Sequence, residues 1–162
     1  MLYDIQARRC IDASGENIMT QQHKGNCFCG AVQIQVSGKP ESMVYCHCDS
    51  CRSWSGSPVH SSTMWKTESV EIMAGAEHIR TFQRTPESIS HRQYCEMCGG
   101  HLMISHPDFG MYDVFAATIP TLNFVPSLHV NYSETVLPMR DGLPKYSDFP
   151  SEFGGSGQLA PE

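Results

Sequence analysis

Three cysteines stand within six residues, Cys46, Cys48 and Cys51, and their thiolates are soft ligands that suit a zinc ion. In an extended segment, residues i and i+2 project to the same face, so Cys46 and Cys48 point together. A turn at Asp49 and Ser50 then brings the third sulfur back to the same point. Three thiolates leave one position of a tetrahedral zinc ion open, which is typical of a catalytic site.

Four further cysteines form two short pairs on either side of this triplet, Cys27 with Cys29 and Cys95 with Cys98. Such pairs, brought together from distant parts of a chain, are typical of closed zinc sites with four sulfur ligands. Spacing alone also allows one pair to combine with thiols of the triplet. Disulfides are a weaker interpretation, because a bridge across one intervening residue is strained. The sequence therefore predicts two Zn²⁺ ions per chain, and Cys10 is left as an ordinary thiol.

The cysteine blocks resemble the signature blocks of the glutathione-dependent formaldehyde-activating (GFA) family, which includes centromere protein V-type domains. The three cysteine blocks are Gly25–Val32, Cys46–Arg52 and Cys95–Leu102, and the family's closing blocks resemble Pro126–Val130 and Asp141–Tyr146. The resemblance covers most of the chain. It implies a mainly β, Mss4-like fold of several short coiled antiparallel sheets with zinc knuckles.

The resemblance also implies which cysteines act together and what they do. It implies a structural zinc on Cys27, Cys29, Cys95 and Cys98 and a catalytic zinc on Cys46, Cys48 and Cys51. The implied substrates are glutathione, a small-molecule thiol, and an aldehyde, formaldehyde. The implied product is S-hydroxymethylglutathione, and the reverse reaction is a carbon–sulfur lyase step.

Residue chemistry favours a thiol as the fourth ligand of the triplet. Three anionic thiolates weaken zinc as a Lewis acid, so a soft thiolate is a more natural partner than an activated hydroxide. If a protein group such as His60 completed the site instead, the triplet would be purely structural. Two non-catalytic interpretations therefore stay open, a glutathione carrier and a zinc-stabilised protein-binding module.

Substrate contacts are predicted around the triplet. Arg52 follows it directly and could hold a glutathione carboxylate bidentately, with a surface ion pair as the equal alternative. We expect Gly56 and Ser57 to form a loop at the mouth of the site with backbone N–H groups available. His129 could donate a hydrogen bond beside the site or act as a general acid, with a hydrogen-bonded strand histidine as the alternative. His47 should turn away from the metal.

Short apolar alternations predict many strands and few helices. Val32, Ile34 and Val36 alternate with glutamines, which indicates a strand with one buried face. One helical turn is predicted over Asp49–Trp54 with Asp49 as its N-cap. The remaining predicted strands are Met43–Tyr45, Val59–Trp65, Val70–Met73, Ile79–Phe82, Ile89–Tyr94, Leu102–Ser105, Asp113–Ala117 and Leu128–Tyr132.

Length and charge bound the class of protein. The 162 residues suit a single domain, and we predict a flexible arm over 1–23, a zinc domain over 24–149 and a loose tail over 150–162. The net charge of −6 offers no basic stripe for nucleic acid. No apolar run is long enough to span a membrane, and no signal peptide is visible. A cytoplasmic, reducing location is expected.

Overall fold

A computed structural model of the chain describes residues 21–161. Cys10 and residues 1–20 of the predicted arm lie outside the described residues. The described part contains ten β-strands and one short α-helix. The elements are β1 (Gln22–Asn26), β2 (Gln33–Ser37), β3 (Ser42–Cys46), α1 (Asp49–Ser55), β4 (His60–Lys66), β5 (Val70–Ala74), β6 (Ile79–Phe82), β7 (His91–Cys95), β8 (His101–His106), β9 (Met111–Phe115) and β10 (Leu128–Val130).

The described strands form two sheets. A three-stranded antiparallel sheet has the order β1-β2-β5, and a seven-stranded sheet has the order β10-β3-β4-β9-β8-β7-β6. All neighbours in the larger sheet are antiparallel except β10 and β3, which are parallel. Cys46, at the end of β3, lies between Val130 of β10 and His60 of β4. This junction places the cysteine triplet among residues that are far apart in the chain.

The prediction of a mainly β chain is confirmed, and the alternation in β2 identified part of the core. Val32, Ile34 and Val36 are all buried. Cys27 and Cys95 belong to the same hydrophobic cluster, so two of the metal-ligand candidates are part of the core itself. Other members of this cluster are Trp65, Leu102, Met103, Val114 and Ile119.

Strand β1 was not predicted, and it begins inside the segment that we assigned to the arm. Its sequence is polar and contains a glycine, so it shows no apolar alternation. It lies at the edge of the small sheet and pairs with β2 in antiparallel register, from Gln22 opposite Ser37 to Asn26 opposite Gln33. Pairing with a strongly amphipathic neighbour, rather than its own propensity, makes this segment a strand.

The first helical residue of α1 is Asp49, whereas an N-cap at Asp49 predicts a helix that begins at Ser50. The N-cap is Cys48, whose Sγ accepts a hydrogen bond from the backbone N–H of Cys51, so the prediction of Asp49 as N-cap is wrong. The N–H of Asp49 donates instead to Oε2 of Glu134 at 2.7 Å. The cysteine sulfur therefore takes the role that we assigned to the local aspartate, and a carboxylate from a distant turn satisfies a further N–H of the first turn. Gly56 ends the helix in the left-handed conformation, with φ of 62°.

The residues after 149 carry hydrogen bonds to the domain. Ser151–Phe153 form a 3-10 turn, Leu159 makes an antiparallel bridge with Tyr146, and the N–H of Ala160 donates to the carbonyl of Lys145 at 2.7 Å. In the described part of the chain, no helix has the length and apolar character that crossing a membrane requires.

Candidate metal centres

The two distant cysteine pairs meet in one cluster. The ligand atoms of Cys27, Cys29, Cys95 and Cys98 all lie within 4.8 Å of one another. The Sγ of Cys29 lies 3.6 Å from that of Cys27 and 4.0 Å from that of Cys95. Sulfur ligands at about 2.3 Å from a tetrahedral zinc ion lie about 3.8 Å apart, so the four residues fit a closed zinc site. This grouping, rather than an exchange with the triplet, is the one that the fold brings together.

Backbone N–H groups surround this four-cysteine cluster. The N–H of Val32 donates to the Sγ of Cys27 at 3.3 Å, and the N–H of Gly100 donates to the Sγ of Cys98 at 3.4 Å. A side chain at Gly100 would place its Cβ 3.1 Å from the backbone nitrogen of Phe28 and 3.2 Å from the Sγ of Cys98. The two halves of the cluster therefore pack tightly at this position, so a larger residue would require Phe28 or Cys98 to shift by a few tenths of an ångström. N–H groups aimed at sulfur favour thiolates, as a metal site needs.

The cysteine triplet forms a second cluster at the end of the larger sheet. The ligand atoms of Cys46, Cys48 and Cys51 all lie within 4.8 Å of one another. Strand β3 delivers Cys46, the N-cap position of α1 delivers Cys48, and the first turn of α1 delivers Cys51. The side-chain amide of Asn131, beyond β10, donates to the Sγ of Cys46 at 3.7 Å. Three convergent sulfur atoms fit a zinc ion with one position left for another ligand.

The three thiols of the triplet do not ionise independently. Hydrogen bonds from Cys46 and Cys51 lower the pKa of the Cys48 thiol. The same hydrogen bond with Cys48 raises the pKa of Cys46 to about 12, and Cys46 and Cys48 together raise that of Cys51. One thiolate is therefore stable in this cluster, whereas a second and a third need a cation to offset their repulsion. This pattern matches a donor set that is completed by a metal ion.

No protein group completes the triplet within residues 21–161. No histidine, aspartate, glutamate or further cysteine of the described chain joins the three sulfur atoms at ligand distance. His60, the alternative that we considered as fourth ligand, donates through Nε2 to the carboxylate of Asp113 at 2.8 Å. Both residues are buried, and Asp113 also accepts the N–H of Thr63. His60 thus lies beside Cys46 in the sheet but outside the sulfur cluster.

A chain of polar side chains lies behind the triplet, with His47, His129 and Lys145 buried and Asp141 exposed at its outer end, and sequence reasoning did not find it. His47 Nε2 lies 2.8 Å from His129 Nδ1, and His129 Nε2 lies 2.9 Å from Asp141 Oδ2. The hydroxyl of Thr135 is 2.9 Å from His47 Nδ1, and Nζ of Lys145 donates to Asp141 Oδ1 at 2.9 Å. His47, between the first two cysteines of the triplet, is therefore held through both ring nitrogens by two other parts of the chain.

Asp141 stands at the far end of this polar chain, and its hydrogen-bond partners keep it negatively charged. Burial raises the pKa of Asp141, but hydrogen bonds from Lys145 and His129 outweigh it and hold the pKa of this carboxyl well below its usual range. Burial and the nearby charge of His129 lower the pKa of His47 to about 4. The network therefore contains a permanent carboxylate at one end and a neutral imidazole beside the cysteines.

The predicted substrate residues lie around α1. Nε of Arg52 donates to the carbonyl of His47 at 2.7 Å, and its guanidinium lies 3.8 Å from the carboxylate of Asp49. The N–H groups of Gly56 and Ser57 both donate to the carbonyl of Arg52, so the loop donors that we expected to be available cap the helix instead. Substrate roles for Arg52, Gly56, Ser57 and His129 stay predictions.

An aromatic group packs against the other side of α1. The Trp54 ring stacks on His101 at 4.4 Å and on Phe82 at 5.7 Å between ring centres, and the ring of Tyr94 meets it edge-on at 6.0 Å. The indole Nε1 is buried and has no hydrogen-bond partner in the described structure. Trp54 therefore anchors the helix that carries Cys51 onto the sheet.

Comparisons with known proteins agree with this architecture. A family model described as glutathione-dependent formaldehyde-activating enzyme matches residues 22–133. An uncharacterized lyase of Schizosaccharomyces pombe is 26% identical over 85 residues, which are 52% of this chain and 58% of that protein. The chain thus matches less than two thirds of the length of this curated relative.

A crystal structure of a Rhodobacter sphaeroides protein has a similar fold. Its TM-score is 0.51 at 24% identity, over 62% of this chain and 90% of that one. The family match spans more than half of the chain and includes both pairs of the four-cysteine cluster and the whole triplet. The chain belongs to the glutathione-dependent formaldehyde-activating enzyme family.

Proposed function

We propose that the protein is a zinc-dependent enzyme of the carbon–sulfur lyase type that acts on adducts of glutathione and aldehydes. The observation that carries this proposal is the triplet of Cys46, Cys48 and Cys51, which converges without a fourth protein ligand in the described chain. Family membership supports glutathione and formaldehyde as the substrates. A zinc ion held by the three thiolates would supply one open position, which suits a soft substrate thiolate.

The reaction adds a thiol across a carbonyl group. The glutathione sulfur, as thiolate, forms a bond to the carbonyl carbon, the C=O π bond breaks, and the thiol proton ends on the oxygen. The product is S-hydroxymethylglutathione, and the reverse reaction releases formaldehyde and glutathione. Because thiols add to formaldehyde unaided, the contribution of the protein is to position the two reactants and to stabilise the thiolate.

His60 is the residue that we propose exchanges a proton with the oxygen of the adduct. It lies directly opposite Cys46 on the neighbouring strand, and Asp113 holds its ring through Nε2 at 2.8 Å. This contact leaves Nδ1 as the ring atom that can face a substrate. A carboxylate that orients an imidazole is a common arrangement in general acid–base catalysis.

We propose that His47, His129 and Asp141 position the cysteines rather than contact substrate. All three lie in the polar chain behind the triplet, and His47 and His129 are fully buried. A fully hydrogen-bonded buried network fixes one conformation of the segment that carries it. The loop from Cys46 to Cys48 is thereby held in the conformation that brings the first two sulfur atoms together.

The test measures exchange of ¹³C-formaldehyde with its glutathione adduct by NMR, with the zinc-loaded protein at neutral pH. We expect the wild type to raise the exchange rate above the uncatalysed rate. Cys48→Ser should return the rate to the uncatalysed value, because it removes a metal ligand, while Ser53→Ala, an exposed position of the same helix, should leave it unchanged. Equal rates with the wild type, with Cys48→Ser and without protein would reject the enzyme.

One observation favours a second candidate function, a protein-binding module. Phe28 and Met97 lie within the two cysteine pairs of the four-cysteine cluster and are 91% and 63% exposed. Single exposed apolar residues are common on soluble proteins, so these two residues are weaker support for a binding module than the open triplet is for an enzyme. A protein that binds two zinc ions, catalyses no exchange and loses binding of a protein partner on Phe28→Ser would support the module.

A further inference from the structure

Arg92 is a buried cation without a carboxylate partner in the described structure. It lies on β7, is 5% exposed, and donates through Nη2 to the hydroxyl of Ser50 at 2.7 Å. Its guanidinium carbon lies 5.9 Å from the centre of the Trp54 ring. None of the ion pairs within residues 21–161 includes Arg92. Buried charges in proteins are normally paired, so this arginine is suited to an anion that comes from outside the chain.

The guanidinium of Arg92 lines a small pocket next to α1. The pocket has a volume of about 260 Å³. This is slightly below the range that is usual for drug-sized ligands, so it suits one end of a small molecule. Its polar lining consists of two arginines, three serines and one glutamate, namely Ser50, Arg84, Glu87, Ser88, Ser90 and Arg92. Two guanidinium groups against one carboxylate give this lining a net positive charge, which favours an anionic group.

Ser50 connects this pocket to the sulfur triplet. It is the residue directly before Cys51 in α1, and its hydroxyl holds Arg92. An α-helix with its side chains is about 10–12 Å across, so the pocket and the triplet, which share the first turn of α1, lie within the length of one small peptide. An extended tripeptide spans about 10 Å, and the γ-glutamyl carboxylate of glutathione lies at one end of it. The scale of the site therefore matches a peptide-like thiol.

We propose that this pocket binds an amino-acid end of the thiol substrate, with the carboxylate held by Arg92 and Ser50 and, at the rim, by Arg84. Guanidinium and carboxylate groups form paired, charge-assisted hydrogen bonds, which makes arginine well suited to this role. Glu87 faces the ammonium group that accompanies such a carboxylate at the γ-glutamyl end of glutathione. This inference rests on the proposed function, because it assigns the substrate contacts of the same site.

The structure also explains why this role falls to Arg92 rather than to Arg52. Nε of Arg52 is already bonded to the carbonyl of His47, and its guanidinium faces Asp49. Arg92 has a serine hydroxyl as its hydrogen-bond partner and keeps its charge free to pair with a ligand. A substrate carboxylate would therefore gain more from Arg92, where no protein carboxylate competes with it.

The test compares two thiols by isothermal titration of the zinc-loaded full chain. Glutathione carries amino-acid ends, whereas cysteamine carries a thiol and no carboxylate. Arg92→Gln should weaken glutathione binding about 10- to 100-fold, the range for losing a charged hydrogen bond, and leave the affinity for cysteamine unchanged. Arg84→Gln, at an exposed position, should weaken glutathione binding less, by up to about fivefold.

Arg140→Gln is the matched control, because Arg140 is exposed and lies outside this pocket. Zinc content and circular dichroism establish that each variant is folded, and if Arg92→Gln does not fold, Arg84→Gln and Ser50→Ala decide the outcome. If wild type binds both thiols and the substitutions change neither affinity, the assignment of the pocket is overturned and the proposed function stays intact. Failure of the wild type to bind either thiol would overturn both. Competition by millimolar inorganic phosphate would overturn the assignment to an amino-acid end.

Discussion

The two cysteine clusters use the same ligand atoms in opposite surroundings. In the four-cysteine cluster, Cys27 and Cys95 are part of the hydrophobic core, and backbone N–H groups bond to the sulfur atoms. In the triplet, the neighbours are polar side chains, namely the buried His47 and His60 and the partly buried Asn131. A set of four sulfur atoms saturates a tetrahedral metal, whereas a set of three does not. The comparison teaches that surroundings and ligand number, rather than ligand type, distinguish the two clusters, and the proposed division into a structural and a reactive site depends on these differences.

The largest effect should come from breaking the four-cysteine cluster. Cys98→Ser removes one of its ligands, and a structural zinc ion contributes about 10 kcal/mol or more to folding, as much as the net stability of a domain. We expect Cys98→Ser to lose the folded β signal in circular dichroism and most of its zinc. Cys48→Ser, in the triplet, should keep the β signal and lose one zinc ion. If both variants lose the folded β signal equally, the proposed division into a structural and a reactive cluster is wrong.

An intermediate effect is expected at the polar chain behind the triplet. Asp141→Asn removes the carboxylate that faces His129 and the buried ammonium of Lys145. The Lys145 side chain is 1% exposed but that of Asp141 is 28% exposed, so losing this partly screened pair should lower the free energy of unfolding by about 1 to 2 kcal/mol, measured by urea denaturation of the zinc-loaded protein. Asp108→Asn, at an exposed position, is the matched control and should change stability by less than about 0.5 kcal/mol.

The difference in free energy of unfolding between wild type and Asp141→Asn should change with pH in a defined direction. The pKa of Asp141 is lower in the folded chain than in the unfolded chain, so its contribution is fully present above the unfolded value of about 4. It is lost only as the pH falls below that value toward the folded pKa. The difference between wild type and Asp141→Asn should therefore be constant from about pH 8 to pH 5. A difference that disappears within this interval would show that the carboxylate is not held in its charged form.

Patterns that depend on neighbours in the chain were predictable, and contacts set by sheet order were not. The spacing of Cys46, Cys48 and Cys51 brings them together locally, and the alternation around Ile34 reports a buried face directly. The contact between His47 and His129 joins residues 82 positions apart. It exists because β10 lies parallel to β3, and no periodicity in either strand indicates that pairing.

The same limit explains the wrong N-cap of α1 and the missed β1. Asp49 is a favourable N-cap type, but the turn needed to aim the sulfur atom makes Cys48 the cap, and Glu134 reaches the first helical N–H from the far side of the site. Strand β1 is polar and becomes a strand through its pairing with β2. Tertiary contacts override local preference in both cases.

The smallest effect should come from the exposed apolar residue of the four-cysteine cluster. Phe28→Ser replaces a side chain that is 91% exposed, so stability should change by less than about 0.5 kcal/mol and the rate of formaldehyde exchange should not change. Thermal denaturation and the NMR exchange experiment measure the two quantities. A clear loss of exchange rate would show that chemistry is not confined to the triplet.

The most direct test of the account counts zinc and glutathione on each intact chain by native mass spectrometry, before and after equilibration with glutathione at millimolar concentration. The account predicts two zinc ions and one bound glutathione for the wild type, and one zinc ion without glutathione for Cys48→Ser. Two zinc ions that neither leave nor bind glutathione would contradict it, because the triplet would then be a second saturated structural site.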